Sequence, residues 1–328
     1  MVLCGVFVGI INVKMNLNEI LNYKLPKHLY RRFLMLTEFW PGTRATSGSL
    51  MVKTHSGGDA APFFWTGSPE ELPDFDRNIG NARSIYCFPC TLFVVPHTDS
   101  NIRALAIYYT AELLKVNPNG PYFLGGNCTA ALLTYEVGKL LTECGHKVDL
   151  MILCERDVCQ TDMILNLCRS LFGRIERFNR NLPDYKKNPW QSAKFIFLSL
   201  CINFLKLMSF PIWKVIKSNN PKYLQEKLAN PPLGRAVENE ISDLGIYQGS
   251  EPLYTMAGYN GKVHLIYIKW GSLGFYRFKF FQKYWRNLAT GGSIFYIIEG
   301  KYHWPVDWDA ISKISKQLMA DIETRIQT

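Results

Sequence analysis

Short apolar runs rich in β-branched and aromatic residues alternate, along much of this chain, with longer segments of helical period. The runs are Pro62–Thr66, Ser84–Phe88, Pro121–Leu124, Val148–Cys154, Lys262–Trp270 and Ser293–Ile298. Each has the length and flanking turn residues of a buried strand. Between them, a helix capped at Asp99 or Ser100 would carry Ile102, Leu105, Ala106, Tyr109 and Leu113 on one stripe. Thr129–Cys144 reads as a second helix stopped by Gly145, and Trp308–Arg325 as a third, with Ile311, Ile314, Leu318 and Ile322 on one face. Strands separated by helices pair in parallel through crossovers. The expected fold class is therefore α/β, a mostly parallel central sheet with helices on both faces. A composition of 48% apolar and 20% charged residues supplies a core for one large domain with an insertion. It excludes a disordered, collagen-like or coiled-coil chain.

Two regions stand outside the alternation. Residues 1–48 read as an N-terminal extension with a short helix near Asn18–Leu21, and the tract His55–Pro62 (HSGGDAAP) reads as a loop. Within the domain at 49–328, about 161–250 holds no convincing strand. It has helical pieces punctuated by Pro183, Pro189, Pro211, Pro221 and Pro231–Pro232. A helical insertion of that size in an α/β sheet is a candidate lid.

The most chemically informative stretch is Gly120-Pro-Tyr-Phe-Leu-Gly-Gly-Asn-Cys-Thr-Ala-Ala-Leu-Leu-Thr-Tyr-Glu136. A strand runs into a helix through Gly126-Asn127-Cys128-Thr129-Ala130, a G-x-S-x-G nucleophile elbow with Cys for Ser and Ala for the last Gly. A nucleophile on so sharp a turn crowds the residues two before and two after it, and Gly126 and Ala130 are small. The helix N-terminus behind Cys128 favours a thiolate and an oxyanion. Taken alone, the pentapeptide fits a buried structural thiol in a tight turn equally well.

Its surroundings resemble the thioesterase family of nonribosomal peptide and polyketide synthases. Members read G-P-Y-x-L-G-G-x-S-x-G-G, then A-x-E on the helix, then G-H-x-V. This chain has Gly120-Pro121-Tyr122-Phe123-Leu124-Gly125-Gly126-Asn127-Cys128, then Tyr135-Glu136, then Gly145-His146-Lys147-Val148. The resemblance covers about residues 50–160 and 250–328. It implies an α/β-hydrolase fold with a helical lid. It also implies a Cys128–His303–Glu155 triad, in the order nucleophile, acid, histidine along the chain. Glu155 stands where the family places its carboxylate, after the strand following the elbow helix, with Asp157 as the reserve. His303 lies in the loop between the last strand and the last helix, where the family often has G-D-H and this chain has Lys301-Tyr302-His303. Backbone N–H groups of Thr129 and Ser68 would form the oxyanion hole. The implied activity is release of an acyl or peptidyl group from a phosphopantetheine thioester by hydrolysis. Acyl transfer or cyclisation onto an amine or alcohol is the alternative, and a catalytically inactive hydrolase-fold binding partner is the rival from another class. No bound cofactor is expected beyond the substrate's own phosphopantetheine arm.

The net charge of +10 is concentrated. Eight of those ten charges fall between Arg174 and Lys227, interleaved with Tyr185, Trp190, Phe195, Phe197, Phe204, Phe210, Trp213 and Tyr223. The family's acyl donor is a carrier protein, typically acidic, and a basic lid would attract it. Nothing resembles a nucleic-acid fold, and neither a phosphate-cradling nor a dinucleotide glycine motif follows a strand. Cys87-Phe-Pro-Cys90 has no second pair at zinc spacing, so it reads as structural thiols and no metal is expected. Nine cysteines, an odd number, point to reduced thiols and a cytoplasmic location. The apolar runs at 1–13 and Phe195–Leu205 are too short to cross a bilayer, so no stable membrane insertion is expected.

Overall fold

The computed structural model describes residues 16–90, 99–158, 256–300 and 306–327. The chain divides into two units, Met1–Cys159 with Ser250–Thr328, and Gln160–Gly249. The second unit, and with it the insertion expected at 161–250, lies outside the described residues.

Among the described residues, seven strands form one sheet: β1 (Thr43–Arg44), β2 (Val52–Gly67), β3 (Arg83–Pro89), β4 (Tyr122–Asn127), β5 (Val148–Cys154), β6 (Val263–Trp270) and β7 (Ser293–Gly300). Their order is β1-β2-β4-β5-β6-β7, with β3 also paired to β2. Among these described strands only β1 runs antiparallel to its neighbour, so the sheet is mostly parallel, as the alternation of runs and helices requires. The helices are α1 (Leu17–Leu21), α2 (Lys27–Leu36), α3 (Asp99–Val116), α4 (Ala130–Glu143), α5 (Gly271–Leu288) and α6 (Trp308–Gln327). Short helical turns occupy Pro69–Glu71, Pro73–Phe75 and Asp76–Gly80.

The two faces of the sheet separate by the period of two. Phe63, Trp65, Phe123, Ile152 and Ile266 project to one side, where they form a core with Leu72, Phe75, Ile311 and Met319, so α6 and the short turns cover that face. The alternate residues meet α3, α4 and α5. A Cβ on Gly138 of α4 would lie 2.0 Å from Met151 Cε, Phe88 stacks on Tyr109 of α3 at 4.4 Å, and Tyr267 meets Phe278 of α5. Full burial of a side chain of this class contributes about 1.5–3 kcal/mol, which makes these layers the main source of the domain's stability.

One sequence expectation is corrected. His55–Pro62 is strand, not loop, and belongs to the long β2. Register shifts between Val52 and Phe63 bend this strand so that both of its halves pair with β3. Gly57 permits that approach, because a Cβ there would fall 2.0 Å from Gly80 O and 2.2 Å from Arg83 O. Glycines that look like loop punctuation are here positions of close backbone contact. At the N-terminus, Asn16 and Glu19 form a reciprocal capping box that starts α1. Ile20, Leu29 and Phe33 of α1 and α2 are buried.

Candidate active site

β4 delivers the chain to the elbow with every residue from Tyr122 to Asn127 buried. Cys128 then adopts φ +51°, a left-handed conformation that costs a non-glycine residue energy and that surrounding structure must impose. Its N–H donates to Cys154 O at 2.7 Å, which pins the turn to the end of β5. Thr129 is already helical at φ −70° and caps α4. The need for small flanking residues is direct: a Cβ on Gly126 would lie 2.3 Å from Thr134 Oγ1 and 3.0 Å from Ala131 Cα. Gly125 meets the opposite face, where a Cβ would fall 2.6 Å from ring carbons of Phe63 and Trp65. Cys128 is partly exposed, with its Sγ 3.7 Å from Thr129 Oγ1.

The strand ends bring further residues to this edge. Thr66 and Gly126 lie opposite one another in the parallel β2–β4 register. Ser68 and Cys128 therefore stand equally far, two residues, beyond a paired position. Ser68 caps the Pro69–Glu71 turn, and its Oγ accepts from Glu70 N at 3.4 Å. Glu155 follows β5 directly and, like Cys128, has a positive φ, +50°. Its N–H donates to Ile266 O at 2.8 Å. The parallel ladder thus sets the Cys128 turn and Glu155 side by side at the carboxyl ends of the strands, where open α/β sheets bind ligands. His303 lies outside the described residues.

The acid is not isolated. Glu155, fully buried, accepts from Ile268 N through Oε1 and from Arg277 Nη1 through Oε2 at 2.6 Å. The same guanidinium reaches Asp157, with Nη2 3.0 Å from Oδ1 and Nε 3.3 Å from Oδ2. Burial alone would lower the pKa of Arg277, but Asp157 and Glu155 raise it well above its ordinary value. One arginine thus holds both of the carboxylates that the sequence offers as candidate acids. Each carboxylate oxygen has a second lone pair, so Glu155 keeps acceptor capacity beyond these two bonds.

A second carboxyl, partly buried, lies beside the turn. Glu71 accepts from Trp65 Nε1 at 2.6 Å and from Asn127 Nδ2 at 3.4 Å. Burial pushes its pKa up to about 6, although those two donors and the Ser68 backbone favour the charged form. Sequence reasoning passed over Glu71 and Arg277. Glu71 sits in Ser68-Pro-Glu-Glu-Leu-Pro, which has the composition of a surface turn, and Arg277 is one cation among several on α5. Cys87 of the C-x-x-C pair is fully buried, and burial, with the charge of Glu71, raises its thiol well above the ordinary range. That makes it an unreactive thiol. Among the described residues, no group of three or more His, Cys, Asp or Glu could hold a metal ion. None of the described helices is long and apolar enough to cross a membrane.

No protein-family model matches the chain. A stretch of 109 residues, 32% of the chain, is 38% identical to the non-reducing polyketide synthase cla3 of Cladosporium cladosporioides. A stretch of 57 residues, 17% of the chain, is 39% identical to the non-reducing polyketide synthase PKS12 of Gibberella zeae. These matches span only 5% and 3% of the two synthases' own lengths. Among solved structures, the Vlm2 thioesterase domain is 13% identical, with a TM-score of 0.47 over 81% of this chain and 97% of that one. YbtT, a type II thioesterase from the yersiniabactin pathway, is 10% identical, with a TM-score of 0.44 over 84% and 98%.

Proposed function

We propose that this chain is an α/β-hydrolase enzyme that releases an acyl or peptidyl group from a phosphopantetheine thioester through an acyl-Cys128 intermediate. The observation that carries this reading is the placement of Cys128. It is a partly exposed thiol on a left-handed turn between a buried parallel strand and a helix, braced by Cys154 O. A structural thiol has no use for such a conformation, whereas a nucleophile gains exposure and a helix N-terminus from it. Local identity to two non-reducing polyketide synthases fits the same substrate class.

In this reading His303 takes the Cys128 proton and the thiolate attacks the thioester carbonyl. The oxyanion is met by the N–H groups of Thr129 and Ser68. Collapse expels the phosphopantetheine thiolate, which receives the proton from His303. Water then gives a proton to His303 and attacks the acyl-Cys carbonyl, and Cys128 leaves as thiolate. Glu155, with Asp157 as the competitor, orients the imidazole and stabilises its charge.

Cysteine changes the energetics relative to serine. The acyl-Cys bond is itself a thioester, so acylation from phosphopantetheine is nearly balanced and the intermediate stays activated. That favours passing the acyl group to an amine or alcohol wherever one reaches the site before water.

The test is the intact mass of the protein after exposure to a panel of acyl-pantetheine thioesters. One acyl adduct per chain, mapped to Cys128 and lost in Cys128→Ala, is the expected result. Absence of both adduct and turnover across the panel would favour a binding partner with a hydrolase fold instead.

A further inference from the structure

We propose that Glu71 is a positioning residue for Cys128: its carboxylate ties the end of β2, the Ser68 loop and the Asn127–Cys128 turn into one unit. This rests on the reading of Cys128 as the nucleophile. The residues around the carboxyl are arranged as a built site. Trp65 Nε1–H from β2 donates to Oε2 and Asn127 Nδ2–H from β4 donates to Oε1, while the Ser68 backbone supplies a third interaction. Gly67 leaves room for it, since a Cβ there would fall 2.2 Å from Glu71 Oε2 and 2.6 Å from Trp65 Nε1. Asn127 is 6% exposed and immediately precedes the strained Cys128.

The arrangement has two protonation states with different consequences. The ionised carboxylate offers acceptors only, which matches the N–H donors aimed at it. The titratable groups that face it are Glu70 on its own turn, Cys87 on β3 and Cys154 on β5. Among the described residues none of these brings a positive charge, so neutral donors alone stabilise the anion. When Glu71 takes a proton from solvent, one oxygen becomes a donor and the carboxyl keeps fewer and weaker acceptor sites for the Trp65 and Asn127 N–H groups. The Asn127 amide then either holds a weaker bond or rotates to offer Oδ1, a buried atom with no partner among the described residues. Either change loosens the residue that carries the chain into the elbow. Glu71→Gln, equal in size, reproduces the neutral state at every pH.

The experiment follows the Trp65 Nε1–H and Asn127 Nδ2–H resonances of the full chain by NMR as pH is varied. Both are expected to titrate together with a midpoint near 6, and neither to move in that range in Glu71→Gln. Acylation by an acyl-pantetheine thioester at pH 8 should be about tenfold slower in Glu71→Gln, with KM little changed. Independent behaviour of the two resonances, or acylation by Glu71→Gln as fast as by the unaltered chain, overturns the proposal. If Glu71→Gln does not fold, the paired titration of the unaltered chain decides alone. If the unaltered chain is not acylated at all, the functional reading fails, while the two resonances still decide whether Glu71 holds the turn.

Discussion

At the scale of single residues, two carboxylates stand within reach of one role. Glu155 is fully buried, bonded to Ile268 N and to Arg277, whereas Asp157 shares the arginine and is partly exposed. If Glu155 orients His303, Glu155→Gln should slow acylation far more than Asp157→Asn. Loss of the orienting acid from a triad lowers turnover by as much as about 10⁴, less where a thiol is the nucleophile. Single-turnover acylation of both variants measures this, and a larger defect in Asp157→Asn would move the acid two residues along. His264 offers a prediction about stability. Burial, helped by Lys262, lowers its pKa to about 4, and its Nδ1 lies 3.1 Å from Tyr296 Oη. The unfolded chain takes up this proton below about 6.5 and the folded chain only near 4. The stability contributed by neutral His264 is therefore complete above pH 6.5 and lost as pH falls towards 4. Urea unfolding at pH 7 and pH 4.5 should show a smaller difference in His264→Gln than in the unaltered chain, by as much as about 3 kcal/mol. Glu71 contributes the opposite slope between its ordinary range and about 6, because its raised pKa makes the folded state the tighter proton binder there.

At the scale of elements, the site is a product of strand ends held by a helix from further along the chain. Arg277 of α5 reaches back to the end of β5 and neutralises one of two carboxylates, with its guanidinium also over the Tyr267 ring at 5.6 Å. Removing one partner of such a buried cluster leaves uncompensated like charges in a poorly solvated space. Arg277→Leu should therefore cost about 3 kcal/mol or more of stability, read as a lower urea midpoint at pH 7. Arg277→Lys should recover only part, since an ammonium cannot span Glu155 and Asp157 as the planar fork does. A midpoint unchanged in Arg277→Leu would mean that solvent, not the arginine, carries these charges. The elements themselves were largely readable. Each of the six expected runs falls on one of β2–β7, with Pro121 and Lys262 one residue outside, because buried parallel strands are short and apolar. Periodicity missed the first half of β2, where glycines serve backbone approach to β3 and so imitate a loop. It also missed α2, whose N-terminus follows Pro26 and has no side-chain cap.

At the scale of the whole molecule, charge is the property that the sequence distributes unevenly, with eight of ten net positive charges between Arg174 and Lys227. If an acidic carrier protein docks there, turnover of carrier-bound substrate should fall steeply with added salt, since surface attraction is screened beyond about 10 Å at 0.1 M. Turnover of a small neutral pantetheine thioester should barely respond, and equal salt slopes for the two substrates would retire the docking idea. The sequence by itself determined the α/β class, most of the strand and helix runs, and Cys128 as the residue at the elbow. All of these are local: they depend on a repeat of two or about 3.6 residues, or on a few neighbours in one turn. Only the tertiary structure decided what surrounds that elbow. Glu71 is 57 residues from Cys128 and Arg277 is 122 from Glu155, and nothing in their own neighbourhoods marks them. They meet the site because parallel register sets Thr66 beside Gly126 and Asn127 beside Cys154, and because α5 packs its arginine against the end of β5. Such partners are chosen by which strand ends lie side by side, and side-by-side packing has no period along the chain.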